Sequence, residues 1–112
     1  MTSALENLFA MQLDAAGLTG YVREYRAIPG RKFPYDFAFV SEKILIEIQG
    51  GTYMNGAHNR GVGINRDCEK AQLAVIHGWR LLPFDTKQVK SGAALEVVEQ
   101  LINNQSIKQE QK

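Results

Sequence analysis

A chain of 112 residues with 45% hydrophobic side chains can fill one sheet-and-helix core and is too short for two. Its 13 basic and 12 acidic residues leave a formal charge of +1, so any polyanionic partner has to be read from local clusters rather than from the total. Uncharged apolar stretches fall far short of the ~20 residues of a membrane span, no basic region followed by an apolar core and cleavage site predicts export, and the lone Cys68 can form neither an internal disulfide nor a multi-cysteine zinc site. Together these predict a cytoplasmic protein with no membrane partner.

Ser3 and Glu6 have capping-box spacing, and Leu5, Leu8, Phe9, Met11, Leu13 and Ala16 then recur near the helical period up to Gly17. Residues 21–28 alternate like a strand, Pro29-Gly30-Arg31-Lys32 reads as a basic turn, residues 33–40 form a second strand and residues 44–49 a third, joined by Ser41-Glu42-Lys43. Residues 50–63 are polar and glycine-rich, a length of loop that small domains usually keep for function. Residues 64–77 segregate charge from apolar side chains as an amphipathic helix closed by Gly78, and residues 79–84 form a fourth strand. Thr86 or Ser91 opens a final helix to about Ile102, leaving a polar tail over residues 103–112. The expectation is one α/β domain over residues 1–102, ordered αβββαβα, with helices on both faces of a mixed sheet. Trp79, Leu81, Leu82 and Phe84 join Phe37, Phe39, Ile44, Ile46 and Ile48 in its core, and Leu73, Val75, Ile76, Leu95, Val98, Leu101 and Ile102 cover the sheet.

Two of the apolar strand runs each hold one acid, Asp36 and Glu47. Burying a carboxylate among Phe, Ile and Leu is costly unless a cation or strong donors compensate it. Alternation puts Glu47 and Gln49 on one face, and a register that sets Asp36 beside Glu47 would let both carboxylates and the Ile48 carbonyl bind a hard divalent ion such as Mg²⁺ or Mn²⁺. The competing reading has the two acids at strand edges, paired with arginines. His58, in the glycine-rich loop, titrates near neutrality and could move a proton, with Asp67 orienting its ring; a lone loop histidine is otherwise merely solvated. Arg31, Lys32, Arg60 and Arg66 flank the acids and form a local basic cluster suited to a phosphate backbone, or an ordinary solvated turn. Tyr35 and Tyr53 could stack on bases, although an aromatic beside a strand more often packs. His77 supports the end of its helix, and Glu24 reads as a salt-bridged surface residue.

The order Ser-Ala-Leu-Glu, Arg-Lys-Phe-Pro-Tyr-Asp-Phe-Ala-Phe, Ile-Glu-Ile-Gln-Gly-Gly, His58-Asn59-Arg60-Gly61, Asp67-Cys68-Glu69-Lys70 and Gly78-Trp79-Arg80-Leu81-Leu82 resembles the PD-(D/E)XK, or restriction-endonuclease-like, nuclease superfamily. Within it, the chain is similar to small phage and bacterial proteins related to the very-short-patch-repair endonucleases. The resemblance implies a metal-dependent DNA endonuclease in which Glu6, Asp36, His58 and Asp67 match the site residues of the repair branch and Glu47 the second acid of the wider superfamily. Gln49 stands where the motif lysine belongs, and Lys70, on the following helix, is the nearest replacement for that charge. The missing lysine keeps a second expectation open, a catalytically inactive nuclease fold that binds nucleic acid. A domain this small has little surface for sequence readout, which leaves room for a homodimer or a larger nucleoprotein assembly.

Overall fold

The computed structural model describes residues 3–50 and 67–110, with side chains through residue 104. Helix α1 (Ala4–Ala15) starts where the extended Ser3 backbone turns, with the Ser3 side chain accepting the Glu6 N–H at 3.1 Å. It buries Phe9, Ala10 and Leu13 and ends at Gly17, whose φ of 79° lets the Gly17 and Leu18 N–H groups return to Asp14 and Leu13. Strand β1 (Val22–Tyr25) is followed by a turn in which Arg31 N–H reaches the Ile28 carbonyl at 3.2 Å, with Pro29 and a left-handed Gly30 at its centre. Strands β2 (Tyr35–Phe39) and β3 (Ile44–Gln49) form an antiparallel hairpin through Lys43, at φ 61°.

Residues 67–76 belong to helix α2, which ends on Gly78 (φ 84°) with paired bonds from Gly78 N–H to Val75 and from Trp79 N–H to Ala74. The chain then enters β4 (Arg80–Asp85), parallel to β3, to give a four-stranded mixed sheet in the order β1-β2-β3-β4. Asp85 caps the short helix α3 (Thr86–Ser91) in a full capping box, the left-handed Gly92 breaks it, and α4 (Ala93–Glu110) follows.

The sheet separates two apolar layers. On one side Phe37, Phe39, Ile44, Ile46 and Phe84 pack with Phe9 and Leu13 of α1, Val89 of α3 and Val98 of α4. On the other, Tyr35, Ala38 and Leu45 pack with Ala74 of α2, Trp79 and Ile28. The coarse expectation of an α/β domain with helices on both faces of a mixed sheet therefore holds.

Several details differ from the sequence reading. Val75 and Ile76 do not cover the sheet: they are 71% and 73% exposed. The inward stripe of α2 runs through Lys70, Leu73 and Ala74, and a helix turns the next two residues away from such a stripe. The first strand stops at Tyr25 rather than Ile28. Thr86 and Ser91 do not compete for one helix start: α3 begins at Thr86, and Ser91 Oγ accepts the Ala93 N–H as α4 begins. With no glycine or proline beyond Gly92, α4 continues through residues 103–110, where the polar composition predicts a tail.

Candidate functional site

The β2–β3 ladder pairs Phe39 with Ile44, Ala38 with Leu45 and Phe37 with Ile46. One step further lie Asp36 and Glu47, and there side chains take over from backbone. Asp36 N–H donates to Glu47 Oε2 at 3.1 Å, and Ile48 N–H donates to Asp36 Oδ2 at 2.8 Å. Each acid is thus braced by the backbone of the other strand. At the same level in β1, Glu24, with φ at 50°, falls between the pairs Arg23↔Phe37 and Tyr25↔Tyr35, which keep one register on either side of it. A carboxylate can replace a ladder carbonyl as acceptor, which is how a chain of apolar alternation accommodates acids at these two positions.

Lys70 reaches across from α2 to the same point. Its ammonium pairs with Glu47 Oε1 and donates to the Pro34 carbonyl at 3.0 Å, and the Lys70 and Glu47 side chains are only 12% and 17% exposed. The ammonium also lies over the Tyr35 ring (4.7 Å to the centroid) and faces the Phe33 ring at 5.5 Å. Tyr35 is fully buried, and its hydroxyl donates to the Lys70 carbonyl at 2.7 Å. Burial, with the Glu47 charge added, pushes that hydroxyl up to about 12, so it remains a donor at any working pH.

Glu6 completes the acidic group from the α1 side. Its carboxylate accepts from Ser3 Oγ at 3.3 Å, and its pKa is raised by burial first and by the Asp36 charge second, against the pull of Ser3 and Arg23. Glu47 is also raised, by burial and by Asp36, with Lys70 and the Asp36 N–H opposing. Burial is the main cause of both shifts and the Asp36 charge adds to it, and the donors of the three acids are hard oxygens. Among the described residues no three Asp, Glu, His or Cys side chains gather as a ready metal-ligand group. The Asp36–Glu47 pair, with its surplus of negative charge, nonetheless fits a divalent cation by donor type and charge.

The remaining candidates are placed less centrally. Gln49 is exposed at the end of β3, paired in register with Asp85. Asp67 is exposed on α2. Arg31 forms a surface pair with Glu69 of α2 at 2.8 Å, with both side chains about half exposed, and Lys32 is exposed. His58, Arg60, Arg66 and Tyr53 lie outside the described residues. Tyr35 cannot stack on a base, because it has no exposed surface.

Arg23 is a participant that sequence patterning did not reveal. It sits opposite Phe37, its guanidinium carbon lies 5.1 Å from the centre of that ring, and Nε and Nη2 are buried without partners. Only the strand register, which places Arg23 beside Phe37 and close to the acids, could have singled it out.

No protein-family model, curated protein or solved structure matches this chain.

Proposed function

We propose that the chain is a metal-dependent DNA endonuclease of the restriction-endonuclease-like fold. The observation that carries this reading is the reciprocal bracing of Asp36 and Glu47 at the level where the strands part, with Lys70 delivered to the same point. Asp36, Glu47 and the Ile48 carbonyl would hold Mg²⁺ or Mn²⁺. Such an ion polarises a phosphodiester and lowers the pKa of a bound water. Lys70 supplies the cationic donor that Gln49 cannot, and Gln49 orients substrate by hydrogen bonding. Glu6 adds negative charge to the centre. His58 takes up the proton of the attacking water, with Asp67 orienting its ring, and Arg31, Lys32, Arg60 and Arg66 contribute the salt-dependent hold on the DNA backbone.

Nicked, branched and duplex DNA incubated with the protein and Mg²⁺ or Mn²⁺ tests this directly. Asp36→Ala should reduce cleavage by at least ~100-fold while the circular dichroism spectrum is retained. Cleavage by that variant at the parent rate would remove Asp36 from the site. One observation favours a non-catalytic nucleic-acid-binding module instead: both Glu47 oxygens and one Asp36 oxygen already accept internal donors. Salt-sensitive DNA binding without cleavage, under every metal tried, would select that reading.

A further inference from the structure

We infer that Phe33, Pro34 and Tyr35 are positioning residues: they form a receptor for the Lys70 ammonium that seats it against Glu47, so the segment leading into Asp36 also fixes the cation of the site. Its catalytic consequence rests on the nuclease reading above, but the receptor itself is geometric. Three neighbouring residues supply two kinds of contact, one carbonyl and two aromatic rings. Pro34 offers its carbonyl at 3.0 Å, Tyr35 its ring face at 4.7 Å and Phe33 its ring at 5.5 Å.

The two rings are themselves set edge to face, with centroids 5.9 Å apart, so the half-buried Phe33 is held by the fully buried Tyr35. The Tyr35 hydroxyl then fastens the backbone of the residue it receives, at the Lys70 carbonyl. A lysine stem carries four rotatable carbons and a point charge that accepts many orientations. Ring faces attract an ammonium with little directionality, and the Pro34 carbonyl and the Glu47 carboxylate supply the direction. Together they leave Lys70 one seat.

Phe33→Leu keeps apolar bulk and removes one ring, and Tyr35→Phe keeps the ring and removes the bond to the helix. Each folded variant is treated with an amine-acylating reagent under native conditions, and modification of each lysine is followed by mass spectrometry, with the exposed Lys87 as internal reference. In the parent protein Lys70 should react at least tenfold more slowly than Lys87, and both variants should raise the Lys70 rate several-fold while leaving Lys87 unchanged. With Mg²⁺ and DNA, kcat should fall about tenfold in each variant with KM unchanged.

Lys70 reacting as fast as Lys87 in the parent, or at an unaltered rate in Phe33→Leu, would overturn the receptor. Faster Lys70 acylation with kcat unchanged would overturn its positioning role and leave a structural clamp. Slow parent acylation that both variants relieve, in a protein that cuts no DNA under any metal, would support the receptor and overturn the nuclease reading. Should Tyr35→Phe fail to fold, Phe33→Leu decides alone, since Phe33 is not part of the fully buried core.

Discussion

Glu6 answers to two opposing demands at the residue scale. A negative charge in the first turn of a helix gains roughly 0.3–1 kcal/mol from the helix dipole, and Glu6 occupies the third position after the Ser3 cap. Burial and the nearby Asp36 charge act against ionisation and raise its pKa overall. With the folded-state pKa above the unfolded one, the associated stabilisation is complete below the ordinary carboxylate range and is lost as pH rises through the raised value. Glu6→Gln should therefore match or slightly exceed the parent in stability at pH 7, and that advantage should vanish near pH 4. Urea denaturation at the two pH values checks it; a loss of about 1 kcal/mol at pH 7 would mean that the dipole outweighs Asp36. Glu47→Ala is a different case, because it strands the nearly buried Lys70 ammonium beside rings and a carbonyl. Denaturant titration should show a cost of roughly 3 kcal/mol, as for breaking a buried pair by removing one partner. Asp36 and Glu47 were legible in the sequence because a carboxylate inside an apolar strand run is anomalous, whereas Glu6 stood out only by its capping-box position and the resemblance. Arg23 and the receptor role of Tyr35 were not, since both depend on which distant residue each strand or helix brings alongside.

At the scale of elements, legibility followed how sharply the residues mark a boundary. The third strand begins and ends where the sequence places it, because a turn precedes it and glycines follow. The first strand falls short because the alternation continues past Tyr25 while the ladder does not. In α2 only the inward face is ambiguous in the sequence, for a reason of phase: Leu73, Ala74, Val75 and Ile76 are consecutive apolar residues, and a run of four cannot say which pair faces inward. The structure settles it through Lys70, Leu73 and Ala74. Replacing Val75 and Ile76 together by lysines should consequently change stability by less than ~0.5 kcal/mol, the usual range for surface substitutions. Ala74→Leu, at a position with no exposed surface, should cost about 1–3 kcal/mol by overpacking. Paired denaturant melts distinguish the two, and the reverse ranking would show that α2 is rotated from the position described.

For the molecule as a whole, the candidate site joins the two apolar layers. Glu6 comes from α1, which packs on one face of the sheet, and Lys70 from α2, which packs on the other, with Asp36 and Glu47 between them. A ligand that relieves repulsion among these acids couples to the stability of the entire fold, because their relative positions require both layers in place. A cation that binds only the folded state adds RT ln(1 + [L]/Kd), about 2.7 kcal/mol at one hundred times Kd, or roughly 4–8 °C of Tm per kcal/mol at the small end of domain sizes. Saturating Mn²⁺ or Mg²⁺ should therefore raise Tm by roughly 10–20 °C at pH 7. Protons compete with the cation for Glu47 and Glu6, whose pKa values are both raised, so the metal-induced shift should shrink as pH falls through those values and be smallest near pH 4. Asp36→Ala should abolish it at every pH. Differential scanning calorimetry with and without metal reads all three outcomes, and an equal shift in the parent and in Asp36→Ala would place the bound cation elsewhere on the protein.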